Sequence, residues 1–400
     1  MITLSISASK TYDVLLAPGL LGQAGTLISE KLGPGALAAG PKICIVADAT
    51  VDSLYCNPDG TLWRSLENAG FQLYKYVFPG GEDHKTMETV EKILDFLTEK
   101  EFSRSDLLLA LGGGITGDVT GFAAAVYLRG IDYVQVPTSL LAIVDSSVGG
   151  KTGVNLAAGK NLAGAFWQPR LVLFDSDVLE TLNSNLLLDG LAEIIKAGMI
   201  ADETILAELP DAGVLDAAAE ARGPSEASPT IAAPAGECRN ALPLMDLELI
   251  AKSIRVKRTL VEEDERDDGS RQLLNFGHTL AHAIEKLSGY RICHGHAVAM
   301  GMDLVCAASE RLGWTEAGCS QRLRSILESF AFPLECSYGP EELAAAALQD
   351  KKRRGDHIAL VIPEKPGRCV LQMLKVSQLT DFIRVGLDRP EVFCPDSPVS

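Results

Sequence analysis

The 400-residue sequence is poor in histidine and aromatic residues, and its cysteines do not occur at the spacing of a thiolate metal site. Nine cysteines are scattered from Cys44 to Cys394 without a CxxC motif, a pattern that argues against a disulfide framework and a cysteine zinc site. We therefore expect reduced, mostly buried thiols and a cytoplasmic location. The N-terminal residues alternate like strands, without a basic region followed by an apolar run, so we expect neither a signal peptide nor a membrane span.

Positive charge is also scarce. The chain has 36 lysines and arginines against 53 aspartates and glutamates, which gives a formal net charge of −17. A protein of this sign does not attract a phosphate backbone as a whole, so the composition argues against nucleic-acid binding. With 47% hydrophobic residues the chain can bury a large core, and its length favours two domains.

Strand and helix patterns alternate in the first part of the chain. An amphipathic helix is expected over 86–101, with Thr86 near its start, and a second helix follows the glycines at 112–114. The segments that read as strands are 42–48, 71–79, 106–114 and 133–138. Such alternation predicts an α/β nucleotide-binding domain over 1–180, built on a parallel sheet with helices on both faces.

Helical periodicity dominates the remainder, 181–400, which predicts a mostly α-helical second domain. The expected helices are 186–207, 247–264, 273–288, 295–312, 316–330 and 341–350, followed by strands at 357–364 and 368–374. Residues 211–243 are rich in Ala, Pro, Ser and Gly and lack aromatics, which predicts a flexible surface insertion. Residues 389–400 are expected to form a disordered tail.

Three features suit a dinucleotide. Gly112, Gly113 and Gly114 stand between a strand and a helix, where backbone N–H groups can meet a diphosphate, although a packing turn explains the same glycines equally well. Asp48 ends one strand, where a carboxylate can hold ribose hydroxyls. Glu82 and Lys85 follow another strand, and each of these charges alone could be a solvated loop residue.

Several basic residues lie in glycine-rich or apolar surroundings, which is unusual in so acidic a chain. Lys151 and Lys160 are flanked by Gly and Asn, donors that together suit an anionic ligand. Further cations in such settings are Lys196, Lys257, Arg271, Lys351 and Lys352. They indicate a small, highly anionic substrate, the alternative being that several are surface charges.

Four of the six histidines fall within nineteen residues: His278, His282, His294 and His296. The first two are four residues apart on a helical pattern and share one face, as a metal pair would. Glu193 sits in an apolar helix, where a carboxylate is costly to bury unless a metal or a cation pairs with it. Two histidines and a carboxylate with an open position are typical of catalytic zinc, but spacing does not tell which histidines bind.

Read together, these stretches resemble the 3-dehydroquinate synthases, the sugar phosphate cyclases of the shikimate pathway. The matching segments run in the family's order from about residue 42 to 355: PGGEDHKT, LALGGGITGDVTGFAAAVYLRG, VPTSLLAIVDSSVGGKTGVNLAAGKNLAGAFWQP, GLAEIIKAG, DERDDGSRQLLNFGHTLAHAIE, HGHAVAMGM and DKKRRG. The resemblance implies an NAD-binding α/β domain, a helical C-terminal domain and a homodimer.

Site residues carry over position by position. The resemblance implies Zn²⁺ or Co²⁺ bound by Glu193, His278 and His294, with His282 serving the substrate and no ligand role for His296. The implied substrate and catalytic residues are Arg129, Asp145, Lys151, Lys160, Asn161, Lys196, Lys257, Arg271, Asn275, His282, Lys351 and Lys352. The implied NAD contacts are Asp48, Glu82, Lys85, Gly113, Gly114, Ile115, Asp118, Thr138, Ser139, Asp145, Lys151, Lys160, Thr181 and Leu182.

The implied reaction converts 3-deoxy-D-arabino-heptulosonate 7-phosphate to 3-dehydroquinate and phosphate. It proceeds by transient oxidation with NAD, phosphate elimination, reduction, ring opening and aldol closure, without net redox change. The chain departs from the family at TLNSNLLLDG, which follows the cofactor residues Thr181 and Leu182. Alternatives are a cyclase acting on a heptulose phosphate or an amino analogue, a metal- and NAD-dependent polyol dehydrogenase, and a non-enzymatic scaffold.

Overall fold

The computed structural model describes residues 1–33, 40–210, 246–349 and 353–388, without the side chains of 353 and 354. The predicted insertion 211–243, the predicted tail 389–400, Lys351 and Lys352 lie outside the described residues. The chain divides into two compact units. The first comprises Met1–Ala197 and Thr204–Arg271, and the second comprises Gly198–Glu203 and the chain from Gln272 onward. The predicted domain boundary at 180 stays a prediction.

A seven-stranded sheet forms the centre of the first unit, in the order β1-β2-β9-β6-β5-β3-β4. Only β1 and β2 pair in antiparallel fashion, and every other neighbouring pair is parallel. The strands of the first unit are β1 Ile2–Ser7, β2 Thr11–Ala17, β3 Lys42–Asp48, β4 Gln72–Phe78, β5 Leu107–Gly112, β6 Asp132–Pro137, β7 Lys151–Leu156, β8 Gly159–Phe166 and β9 Leu171–Asp175. The strands β7 and β8 form a separate hairpin that the sequence analysis did not predict.

Both faces of this sheet are buried, which explains its continuous apolar strands. On β3, Ile43 and Ile45 belong to one hydrophobic cluster and Cys44 and Val46 to another. The helices of the first unit are α1 Ala24–Leu32, α2 Ala49–Tyr55, α3 Thr61–Asn68, α4 Met87–Glu99, α5 Gly114–Val126, α6 Ser184–Ile200 (whose last three residues count with the second unit), α7 Thr204–Ala207 and α8 Leu247–Glu263. The predicted α/β architecture with a parallel sheet is confirmed.

The second unit is mostly helical, as predicted, and also contains a small antiparallel sheet. Its helices are α9 His278–Leu287, α10 His294–Arg311, α11 Cys319–Ser329, α12 Pro340–Ala347 and α13 Leu379–Leu387, and its strands are β10 Arg353–Arg354, β11 His357–Lys365 and β12 Arg368–Lys375. Nearly every residue of α10 from Ala297 to Ser309 is buried, so this helix is the core of the unit. Within the described residues, no helix is both long and apolar enough to cross a membrane.

Two glycines bring α9 and α10 into backbone contact. Gly277, immediately before α9, has a φ of 77°, and a Cβ there would lie 2.8 Å from the backbone nitrogen of Met302. A Cβ on Gly301 of α10 would lie 2.2 Å from the carbonyl oxygen of Gly277. Any side chain at either position would push the two helices apart, because backbone atoms cannot yield as a flexible side chain does.

Asp303, on α10, is buried and pairs with Arg324 of α11 across 3.0 Å. Burial raises the pKa of its carboxyl group to about 7, although the guanidinium opposes the shift. Because the folded pKa exceeds the unfolded one, this carboxyl group contributes stability at low pH that is lost as the pH rises through about 7.

We expect Gly301→Ala to lower the free energy of unfolding by about 1–3 kcal/mol, because the added methyl group overpacks the α9–α10 contact. Denaturant titration of the purified variant measures the change. The control is Gly269→Ala, where a Cβ would have no neighbour closer than 3.6 Å and the change should stay below about 0.5 kcal/mol. Equal stability of the two variants would contradict the close approach.

We expect Asp303→Asn to gain about 1.4 kcal/mol of stability relative to the unsubstituted protein between pH 6 and pH 8.5, because the amide does not ionise. Denaturation curves at four pH values within this interval give the difference directly. Asp95→Asn, at an exposed position on α4, is the matched control. A difference for Asp303→Asn that does not change with pH would show that the raised pKa is wrong.

Candidate active site

Three imidazole rings converge in the second unit. His278 begins α9, His282 lies one turn later, and His294 is the first residue of α10. The ring centroids of His278 and His294 are 5.2 Å apart, those of His278 and His282 are 5.6 Å apart, and those of His282 and His294 are 6.4 Å apart. The Gly277–Gly301 contact brings α9 and α10 close together, and so brings the ring of His294 close to the rings of His278 and His282.

The Nδ1 atoms of two rings face oxygen atoms. Nδ1 of His278 is 3.2 Å from the carbonyl oxygen of Phe276, and Nδ1 of His294 is 3.5 Å from a carboxylate oxygen of the buried Glu285. A histidine that donates its Nδ1 proton to an oxygen presents the lone pair of Nε2, which is the form that binds a divalent metal. These contacts are compatible with metal ligation through Nε2, which stays a prediction, and Glu285 was not predicted as the partner of His294.

His296 is set apart from these three rings. It packs edge-on against Phe332, with ring centroids 5.7 Å apart, and burial lowers the pKa of its imidazole. The expectation that His296 has no ligand role stays a prediction.

Glu193 lies in the first unit, on the apolar helix α6. Its side chain is only 2% exposed and forms an ion pair with Lys196, whose side chain is 3% exposed. Burying this carboxylate is costly unless a metal or a cation pairs with it, and Lys196 supplies the cation.

Lys257 and Asp145 form a second pair within the first unit. The Lys257 ammonium donates to both the side chain and the carbonyl oxygen of Asp145, which lies in a π-helical turn over Ala142–Ser146. Burial lowers the pKa of Lys257, and the carboxylate of Asp145 opposes the shift.

Arg271 is almost fully buried, at 1% exposure. Its guanidinium donates to the carbonyl oxygens of Gly149 at 2.9 Å and Glu265 at 2.5 Å, and it lies over the ring of Phe166. Gly149 has a φ of 98°, and a Cβ there would meet the guanidinium at 2.3 Å. The structure thus places Arg271 beneath this loop, and its contact with a substrate stays a prediction.

The glycines at the end of β5 lead directly into α5, as the sequence analysis expected. Gly113 is the N-cap residue of α5 and Gly114 its first residue, and Ile115 follows in the first turn. Thr138, at the end of β6, donates its backbone N–H to Gly112, and the hydroxyl of Ser139 accepts from Ala142. The carboxyl ends of β5 and β6 therefore meet at one edge of the parallel sheet, where anions bind in such folds.

Three other predicted cofactor residues, Glu82, Asp118 and Lys160, lie in the network around Lys85. Its ammonium donates to Asp118 at 2.5 Å and to Asn161 at 2.6 Å. Glu82 lies 3.8 Å from the ammonium of Lys160. Desolvation raises the pKa of Asp118, with Lys85 opposing the shift. The structure thus brings together residues that the sequence analysis assigned to NAD and residues that it assigned to substrate.

Two predicted cofactor residues already have structural partners. Asp48 is the N-cap residue of α2, and its carboxylate accepts from the backbone N–H groups of Thr50 and Val51. The hydroxyl of Thr181 is 2.6 Å from that of Tyr55, and Leu182 is buried beside it. These contacts within the protein account for an aspartate at position 48 and a threonine at position 181 even without a bound ligand.

The remaining predicted residues are dispersed. Lys151 is half exposed and pairs with Asp267 at 2.6 Å. Arg129 ends a short 3₁₀ turn with a φ of 66°, and Asn275 ends the 3₁₀ turn Ser270–Asn275. Asn155, which contacts several of the predicted site residues, was not predicted from the sequence. Its signal there is that it stands six residues before Asn161, with a glycine turn between the two asparagines.

Models of one enzyme family match consecutive parts of the chain. The model described as 3-dehydroquinate synthase N-terminal matches residues 75–189, and the C-terminal model of the same synthase matches residues 190–353. The 3-dehydroquinate synthase of Streptococcus suis (strain 05ZYH33) is 39% identical over 376 residues, covering 94% of this chain and 97% of the relative. That of Streptococcus pneumoniae (strain ATCC 700669 / Spain 23F-1) is 40% identical over 374 residues, covering 93% and 96%.

Solved structures with similar folds include other cyclases. ValA, a 2-epi-5-epi-valiolone synthase from Streptomyces hygroscopicus subsp. jinggangensis 5008 solved with NAD⁺ and Zn²⁺, has a TM-score of 0.77 at 26% identity and covers 97% of this chain and 99% of its own. A 2-deoxy-scyllo-inosose synthase solved with carbaglucose-6-phosphate, NAD⁺ and Co²⁺ has a TM-score of 0.77 at 22% identity, covering 96% and 99%. From the family models and the identities with curated relatives, we conclude that the chain belongs to the 3-dehydroquinate synthase family.

Proposed function

We propose that this chain is a 3-dehydroquinate synthase, which converts 3-deoxy-D-arabino-heptulosonate 7-phosphate to 3-dehydroquinate and phosphate. The observation that carries the proposal is the 39–40% identity with curated synthases along 93–94% of the chain. A substrate with both a carboxylate and a phosphate also agrees with the lysines of the first unit, which lie buried or beside acids in an otherwise acidic protein.

We assign a divalent metal, Zn²⁺ or Co²⁺, to Glu193, His278 and His294. Two imidazoles and one carboxylate form the donor set of a catalytic zinc site with an open position. The spacing of the two rings and the engagement of both Nδ1 atoms by oxygens support this choice over the pair His278 and His282. Structurally similar cyclases contain Zn²⁺ or Co²⁺.

We assign NAD to the edge of the sheet where β5 and β6 end. Gly113 and Gly114 offer backbone N–H groups at the N-terminus of α5, which suits a diphosphate. The full set of proposed NAD contacts is Asp48, Glu82, Lys85, Gly113, Gly114, Ile115, Asp118, Thr138, Ser139, Asp145, Lys151, Lys160, Thr181 and Leu182.

The chemistry supplied by bound NAD and the divalent ion is reversible hydride transfer and polarisation of the hydroxyl that is oxidised. The chain's own residues hold one substrate in a fixed orientation and keep water away from it. Lys257, buried and held by Asp145, is proposed to attract an anionic group of the substrate. Lys196 and His282 lie beside the proposed ligands Glu193 and His278, where they can donate hydrogen bonds to substrate oxygens.

The other substrate contacts are proposed on the family pattern. They are Arg129, Asp145, Lys151, Lys160, Asn161, Arg271, Asn275, Lys351 and Lys352. Arg129 would reach the phosphate of a substrate bound by the partner in a homodimer. The free thiols of the seven described cysteines agree with a reducing, cytoplasmic setting, and the net charge of −17 argues against nucleic acid as a partner.

A polyol dehydrogenase is the second candidate. Glycerol dehydrogenase from Schizosaccharomyces pombe has the same fold, with a TM-score of 0.61 at 14% identity. That likeness concerns the fold alone. A dehydrogenase would accumulate NADH, whereas a cyclase returns the hydride to its substrate.

The activity test is release of phosphate from 3-deoxy-D-arabino-heptulosonate 7-phosphate, with the absorbance of NADH followed in the same sample. We expect phosphate release without accumulating NADH, abolished by a chelator and restored by Zn²⁺ or Co²⁺. NADH formation from a polyol without phosphate release would instead favour the dehydrogenase. Activity on sedoheptulose 7-phosphate or the amino analogue alone would identify another cyclase.

The ligand assignment predicts that Glu193→Ala, His278→Ala and His294→Ala each lose bound metal and at least about 10³-fold in activity, while NAD still binds. His282→Ala should keep its metal and lose activity, because we assign that ring to the substrate. Metal content after gel filtration and the visible spectrum of the Co²⁺-loaded protein measure retention. His357→Ala, on β11, is the control. Metal retained by Glu193→Ala would overturn the assignment.

A further inference from the structure

The hairpin β7–β8 carries three of the proposed ligand-binding side chains, Lys151, Lys160 and Asn161. A short 3₁₀ turn over Glu82–His84, followed by Lys85, carries two of the proposed NAD contacts. Both segments belong to the first unit. The residue that ties them together is Asn155, near the end of β7, to which no function has been assigned so far.

Asn155 bonds to both segments. Its backbone N–H donates to the carbonyl oxygen of Lys85 at 2.8 Å, and its side-chain Nδ2 donates to Oε1 of Glu82 at 2.7 Å. Its Oδ1 accepts the backbone N–H of Asn161 at 2.9 Å. The amide thus uses its donor on one segment and its acceptor on the other.

These hydrogen bonds join the two segments in a closed network. Asn161 has a φ of 52°, in the left-handed region that asparagine adopts more readily than most residues, and this conformation directs its side chain to Lys85. Lys85 is held in turn by Asp118 at 2.5 Å. Loss of the Asn155 amide would therefore remove one contact of the Glu82 carboxylate and one contact of the Asn161 backbone, whereas the pairs Lys160–Glu82 and Lys85–Asp118 would remain.

Few other side chains could serve in this place. Aspartate has the right length and can accept from Asn161, but it has no donor for Glu82 and would place a second carboxylate beside it. Glutamine has both groups but is one methylene longer. Alanine offers neither.

We propose that Asn155 is a positioning residue that orders the NAD-binding side chains Glu82 and Lys85 together with the substrate-binding turn at Lys160 and Asn161. The inference rests on the proposed function, because that function assigns these side chains to NAD and substrate. Asn155 itself acts through its neighbours. Its removal should weaken binding of the cofactor before any chemistry takes place.

The first measurement is the affinity of the full-length protein for NAD⁺ by calorimetry, without substrate. We expect Asn155→Ala to raise the Kd about tenfold, as the loss of two hydrogen bonds that order the site implies. The KM for the sugar-acid phosphate should rise as well, with a smaller change in kcat. Asn68→Ala, at an exposed position on α3, is the matched control and should change neither quantity.

A second set of variants separates positioning from mere stability. Asn155→Asp should weaken NAD⁺ binding more than Asn155→Ala, because it adds repulsion to the lost bond. Combining it with Glu82→Gln restores a donor–acceptor pair with reversed polarity, so the double variant should bind NAD⁺ more tightly than Asn155→Asp alone. A merely structural role would lower the Tm of all the Asn155 variants and leave the Kd for NAD⁺ unchanged, which would overturn the inference.

The outcomes distinguish this inference from the proposed function. If the unsubstituted protein neither binds NAD⁺ nor releases phosphate, the proposed function fails. If it does both, and Asn155→Ala binds NAD⁺ as tightly, only the role of Asn155 is wrong.

Discussion

The carbonyl oxygen of Gly277 lies where a Cβ on Gly301 would have to be, and the arrangement of the histidines depends on that contact. The helices α9 and α10 can approach this closely only because neither residue has a side chain. Their separation sets the distance between the rings of His278 and His294. The same helix α10 therefore supplies both the buried core of the second unit and the ring of His294.

The sequence predicted the regular elements well wherever the pattern of side chains is dictated by burial on both faces. The strands β3 and β5 are apolar without interruption because helices cover the sheet on each side, and Thr86 caps α4 as expected. The hairpin β7–β8 was missed because its small residues show no alternation of polar and apolar side chains. Glycines at 153 and 164 allow its two strands to approach closely, and that constraint has no periodic signature.

Residue spacing in the sequence predicted the candidate site less well than it predicted the fold. Spacing favoured His278 and His282 because they share a helical face, and only the resemblance to a family pointed to His294. The partners of the rings could not be predicted, because Glu285 and the Phe276 carbonyl depend on how α9 turns against α10. Lys85, Asp118 and Asn161 come from three separate segments, and long-range pairing of this kind leaves no local trace.

The pairing of cations with acids in the first unit has a consequence for selectivity. Lys85, Lys151 and Lys257 each rest against an aspartate, so their charges are already balanced within the protein. An incoming anion must compete with these internal counter-ions, and a small anion that reaches only one lysine gains little from the exchange. A ligand that carries two anionic groups at a fixed separation can displace several counter-ions at once. Pairing of this kind favours ligands with several anionic groups over single small anions.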